Sequence, residues 1–204
     1  MKTLEEISLQ YNSDKGSVYH NYLEIYEKYF SRYRNTLGTF LEIGLWQGDS
    51  IKMWREYFNT GYLVGADILD LRHIHLPQTQ IHICDQSDRN QLTDLVRATF
   101  QEYDIIIDDG GHMMHQQQIT LATMFKYLKS GGIFVIEDLH TSGNPAYANL
   151  GDTETLQMLI EFNQTGKIIS NCITSAEIDY LENNIDVLTI ENGSVSEIAF
   201  ITKK

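Results

Sequence analysis

Residues 104–112 read DIIIDDGGH and residues 132–140 read GIFVIEDLH. Each begins as an apolar, strand-like run rich in isoleucine, and each ends in two carboxylates with a histidine close behind. Carboxylates at the end of a buried strand are costly, because like charges in a poorly solvated crevice raise one another's pKa. The repeated pattern therefore calls for something positive between the two pairs.

Three more strand-like runs precede these: TFLEI (39–43), YLVGA (62–66) and QIHIC (80–84), while the two quoted stretches contribute YDIII (103–107) and GIFVI (132–136). Between them lie apolar stripes at helical spacing. These are Ile51, Trp54 and Phe58, then Leu92, Leu95, Val96 and Thr99, then Leu121, Met124, Phe125 and Leu128. Asp49 or Ser50 is expected to cap the first helix and Ser87 the second, with Gly131-Gly132 closing the third. Alternating strands and helices imply a parallel sheet covered on both faces. A further helix carrying Leu156, Leu159 and Ile160 stops near Gly166, and Glu191-Asn192-Gly193 marks a hairpin between two final strands. The fold class expected is α/β: a Rossmann-like doubly wound sheet, mostly parallel, with a C-terminal antiparallel hairpin. One domain over residues 1–204 is expected, with 1–35 as a helical cap (Leu23, Tyr26 and Phe30 on one face) and 36–204 as the core.

Composition narrows the function. The chain has 204 residues, enough for a substantial core without disulfides, and its two cysteines, Cys84 and Cys172, are expected to stay reduced. No stretch approaches 18 apolar residues, and Glu5 and Glu6 stand where a secretory signal would be apolar, so a cytoplasmic protein is expected. A formal charge of −13, from 28 acidic against 15 basic residues, argues against nucleic acid or an acidic membrane as partner.

Ligands of doubly wound sheets sit outside the carboxyl ends of the strands, so the residues ending each strand are the candidates. After the first strand, Glu42-Ile43-Gly44-Leu45-Trp46-Gln47-Gly48 can turn tightly against a ligand. Asp67 ends the second strand and can accept both hydroxyls of a ribose, or can be a solvated turn acid. Asp85 and Gln86 follow the third and can bond an adenine edge, or can cap the next helix. The chain lacks both a P-loop and the full glycine fingerprint, which disfavours phosphate-bearing nucleotides. Asp108, Asp109, Glu137 and Asp138 converge if the fourth and fifth strands are neighbours, and oxygen ligands of this kind suit magnesium. His112 can take a proton near neutrality, with His20, His115 and His140 as competitors.

The pieces SDKGS-x-x-H-x-Y (13–22), LEIG, GDSIKMW, VGADI, DQSD, IIIDDGGH and VIEDLHTS resemble the metal-dependent O-methyltransferases of macrolide sugars, the mycinamicin and tylosin type, within the class I S-adenosylmethionine-dependent methyltransferases. The matching region runs from residue 13 to 142, and its last two motifs are the most specific. The resemblance implies a cofactor site at Glu42, Gly44, Asp67, Asp85, Gln86 and Asp108. It also implies magnesium held by Asp108, Glu137 and Asp138, Asp109 in support, and His112 as general base. Sugar-modifying members carry a further N-terminal region for assembly and substrate enclosure, so substrate identity and oligomeric state are not carried over. The segment 141–151 is expected to form a mobile loop that helps choose the acceptor.

The expected reaction is methyl transfer from S-adenosylmethionine to a hydroxyl of a small molecule, with a sugar diol or catechol-like acceptor favoured. Two rivals stand beside it. A metal-dependent hydroxylase or hydrolase would bring more histidines or a second ion to the carboxylates. A silent S-adenosylmethionine-binding partner would have lost the base.

Overall fold

A computed structural model describes residues 2–204. Seven strands form one sheet in the order β3-β2-β1-β4-β5-β7-β6. They are β1 (Thr39–Ile43), β2 (Tyr62–Asp67), β3 (Thr79–Ile83), β4 (Tyr103–Asp108), β5 (Leu128–Ile136), β6 (Ile185–Asn192) and β7 (Glu197–Lys203). The first five pair in parallel, and β7 runs antiparallel to both β5 and β6. Strand order reverses between β1 and β4, which opens a crevice above their carboxyl ends where ligands of such sheets bind. The sequence thus foretells the sheet and its closing hairpin.

Alternation along each strand divides the core between two faces. Ile106 of β4 and Leu41 and Ile43 of β1 point to one layer, formed by α4 (Arg89–Ala98), α5 (Met114–Met124), α6 (Thr155–Thr165) and α7 (Ser175–Asn184). Ile105, Ile107 and Phe40 point to the other, formed by α1 (Leu4–Tyr11), α2 (Leu23–Phe30) and α3 (Asp49–Tyr57). Trp54 of α3 is its centre, wholly buried, with Tyr26 of α2 edge-on at 5.0 Å between ring centroids. An aromatic of this size dominates the energetics of a small layer.

Several local expectations are corrected. Asp88, not Ser87, caps α4, its side chain accepting the Asn90 N–H at 2.8 Å. Gly48, at φ 80°, precedes α3, so Asp49 and Ser50 lie inside that helix. Helix α5 stops at Met124 through a 3-10 turn at Phe125–Tyr127, and Gly131-Gly132 fall within β5. Helix α7 was not foreseen. The N-terminal helices α1 and α2 pack beside α3 in a layer that covers one face of the sheet rather than the crevice, and the link after α1 together with Tyr26 of α2 reaches the ligand end. The 141–151 segment contains a short 3-10 turn, Pro145–Tyr147, and a fully exposed Leu150. Among the described residues, no helix is long and apolar enough to cross a membrane.

Candidate active site

A cleft of about 790 Å³ opens at the carboxyl ends of β1, β2, β3 and β4. Its floor exists because two loops cross almost in contact. Gly44 has φ +87°, and a Cβ there would overlap the Asp109 carbonyl and Gly110 Cα, so only glycine lets the chain after β1 pass the chain after β4. Asp67 then fixes the first loop: its Oδ2 accepts the N–H groups of Leu45 (2.7 Å) and Trp46 (3.1 Å), while Oδ1 accepts that of Leu69 (2.8 Å). Trp46 is held at φ 50° with its side chain 76% exposed beside the cleft. Asp85 lines the same cleft, and its Oδ1 accepts the Ser87 N–H at 2.8 Å.

At the other end of the cleft stand Asp109, His112 and Asp138. One carboxylate oxygen from each aspartate and one ring nitrogen of His112 all lie within 4.8 Å of one another. His112 Nε2 is 3.5 Å from Asp138 Oδ2. Both residues are non-glycine in the left-handed region, at φ 57° and 55°, a conformation uncommon for side chains though less so for aspartate and histidine. Thr141 stands between them, its hydroxyl within hydrogen-bond distance of the carbonyls of Asp138 (2.9 Å) and His112 (3.2 Å) and able to donate to either one. The loop's near end is pinned by Gln86, whose Oε1 accepts the Gly111 N–H at 2.7 Å and whose Nε2 donates to Asp108 Oδ1 at 2.8 Å.

The positive group that the sequence calls for is present in the chain itself. Lys15 is wholly buried, its ammonium bonded to Asp109 and to Glu137 Oε1 (2.7 Å), with Glu42 Oε1 at 3.9 Å. Burial works against the ammonium, but Asp109, Glu137 and Glu42 outweigh it and hold its pKa well above the ordinary lysine value. Tyr26 donates its hydroxyl to the same Glu137 oxygen, and Tyr22 donates to Asp138 Oδ1 at 3.1 Å. Burial raises the Glu137 and Asp109 pKa values, which Lys15 opposes.

These positions redistribute the expected roles. Asp108 is turned away from the cluster toward Gln86. Its Oδ2 is buried with no partner among the described residues, and burial raises its pKa to about 7. The carboxylate that faces His112 and Asp138 is Asp109, because β4 ends at Asp108 and the next residue already belongs to the loop. Gln86 has both ends of its amide committed, to Asp108 of β4 and to Gly111 of the loop, and lines the cleft beside Asp85. Glu42 lies beneath the floor, bonded by the Trp54 indole N–H at 3.2 Å, and burial raises its pKa to about 8. Glu137 is tied to Lys15 and Tyr26. Of the competing histidines, His115 pairs with Asn149 and Asp152, away from the cluster, and His140 Nδ1 pairs with Ser196 Oγ at 2.7 Å. His20 lies against Tyr22 with its Nδ1 3.4 Å from Asp138 Oδ1. Lys15, Tyr22 and Tyr26 were given no role by sequence, although Lys15 and Tyr22 lie within the 13–22 motif.

The carboxylate oxygens of Asp109 and Asp138, brought together beside His112, suit one small hard divalent cation. The cleft, lined by Asp67, Asp85 and Asp109, has a volume within the range of small-molecule sites.

No family model matches the chain. It is 36% identical over 159 residues to 8-demethyl-8-alpha-L-rhamnosyl tetracenomycin-C 2'-O-methyltransferase of Streptomyces olivaceus, covering 74% of this chain and 42% of that one. It is 32% identical to mycinamicin VI 2''-O-methyltransferase of Micromonospora griseorubida, over 98% of this chain and 52% of the relative. The solved MycE methyltransferase of the mycinamycin biosynthetic pathway, in complex with Mg and SAH, superimposes with a TM-score of 0.84 at 28% identity, over 99% of this chain and 55% of that chain. Fold and cleft define a protein of the class I methyltransferase fold. Within that class, the chain is a homologue of the O-methyltransferases of macrolides and glycosylated natural products. It spans about half the length, or less, of the curated relatives it matches.

Proposed function

We propose that the chain transfers a methyl group from S-adenosylmethionine to a hydroxyl of a sugar on a natural product, with a divalent cation, most simply magnesium, at the site. The observation that carries this reading is the single cleft joining Asp67 and Asp85 at one end to the Asp109–His112–Asp138 cluster at the other. The sugar acceptor is supported by the relatives' names and by the solved complex of MycE methyltransferase with Mg, SAH and mycinamycin VI. A cytoplasmic setting, where thiols stay reduced, accords with Cys84 and Cys172 both being free.

In this mechanism Asp67 accepts the ribose hydroxyls with lone pairs not aimed at Leu45, Trp46 and Leu69, and Asp85 faces the base. Asp109 and Asp138 hold the cation, and Glu137 backs Asp109 through Lys15. When bound, the cation acidifies and orients the acceptor hydroxyl. His112 removes the hydroxyl proton at its ring nitrogen, and Gln86 and Thr141 fix the loop so that the imidazole stands ready. Displacement at the sulfonium methyl then depends chiefly on alignment, which positioning alone can accelerate by several kcal/mol. The exposed 141–151 loop, which begins at Thr141, is the segment suited to select the acceptor.

Incubation with methyl-labelled S-adenosylmethionine, magnesium and a panel of glycosylated polyketides tests the reading. Labelled O-methyl sugar is expected with magnesium and none with EDTA. Full turnover in EDTA contradicts the metal role, and a labelled nitrogen or carbon contradicts the hydroxyl acceptor.

A further inference from the structure

Lys15 ties the carboxylate end of the site to the chain segment that precedes it. Its ammonium joins Asp109 to Glu137, and Asp109 belongs both to the ligand cluster and to the cleft wall. The three residues just before it, Asn12, Ser13 and Asp14, line the same cleft. The segment between is tightly wound. The Lys15 N–H points to Ser13 Oγ at 3.4 Å, the Lys15 carbonyl accepts the Tyr22 N–H at 2.9 Å, and the Asp14 carbonyl accepts the His20 N–H at 3.0 Å. A buried ammonium cannot drift from its carboxylates without losing all compensation for its lost hydration. The position of the 12–15 wall is therefore set by where Asp109 and Glu137 point.

We propose that Lys15 is a positioning residue that couples the two half-sites, so that the divalent cation and the adenosyl ligand bind cooperatively. The inference rests on the methyltransferase reading. Cation binding orients Asp109; Asp109 seats Lys15; the seated segment completes the wall against the adenosyl ligand. Each ligand then meets part of the ordering cost of the other, which is cooperativity by population of one shared conformation. If Lys15 merely fastened the N-terminal segment to the sheet, the two ligands would bind independently.

Calorimetry with S-adenosylhomocysteine and Mg²⁺ separates these cases. In the wild type, saturating Mg²⁺ is expected to tighten S-adenosylhomocysteine by about fivefold or more relative to EDTA, and reciprocity requires the same factor for Mg²⁺ when the nucleoside is saturating. Lys15→Met, which keeps the apolar stem and removes the charge, is expected to bind both ligands more weakly with a coupling factor near one. Tyr26→Phe removes the other donor to Glu137 but leaves Lys15 seated, and is expected to keep the factor. Independent binding in the wild type overturns the coupling whether or not Lys15→Met folds, and so does an undiminished factor in a folded Lys15→Met. A wild type that binds no S-adenosylhomocysteine at all overturns the methyltransferase reading itself.

Discussion

The two ends of the cleft are built differently. At the Asp67 end, acids are satisfied largely by backbone N–H groups: Asp67 by those of Leu45, Trp46 and Leu69, and Asp85 by that of Ser87 two residues on. At the carboxylate end, acids are satisfied by side chains from far along the chain, with Lys15 lying 94 positions from Asp109 and 122 from Glu137, and Tyr26 111 from Glu137. Backbone-held acids give a preformed groove whose shape survives small changes. Acids held by a buried lysine and two buried tyrosines give a site whose shape depends on how the N-terminal segment packs.

The largest effect expected from breaking this contrast is on chemistry. His112→Ala should lower turnover by about two to four powers of ten, the span typical of a lost general base, while calorimetry finds S-adenosylhomocysteine affinity nearly unchanged. If affinity falls with turnover, His112 serves the adenosyl end instead. Next comes stability of the layer beneath both ends. Trp54→Ala should cost about 3–5 kcal/mol in denaturant unfolding, because it opens a void among buried rings and strips Glu42 of its indole donor.

The carboxylate pair gives a sharper comparison. Asp109→Asn should raise the magnesium concentration needed for half-maximal activity about tenfold or more, whereas Asp108→Asn should leave it within about a factor of two, since Asp108 faces Gln86. The reverse order would restore the assignment read from sequence. The smallest effect lies outside the cleft: Asp88→Ala removes the α4 cap and should cost about 1 kcal/mol with no change in magnesium demand or turnover.

What the sequence made legible follows the same divide. Strand β1 coincides with TFLEI, and Gly44, Asp67 and Asp85 stand at strand ends as read, because periodicity and turn chemistry are local properties. Helix α7 does carry a sequence signal that the strand pattern overshadows, a capping box at Thr174 and Glu177 followed by Ile178 and Leu181 at helical spacing. The choice between Asp108 and Asp109 depended on where β4 ends, since neighbouring strand residues point to opposite faces and a shift of one residue exchanges them. Lys15 carries no local signal of burial: a lysine between an aspartate and a glycine reads as a solvated turn until its three distant carboxylates are known.

The central claim is that Asp109 and Asp138 hold a divalent cation beside His112, at the end of the adenosyl cleft. Crystals grown with Mn²⁺ and S-adenosylhomocysteine, measured for anomalous scattering at the manganese edge, test it most directly. One ion bound to carboxylate oxygens of Asp109 and Asp138 is the predicted result. An ion bound to Asp108, or no anomalous peak at the cluster while the nucleoside fills the cleft, would contradict it.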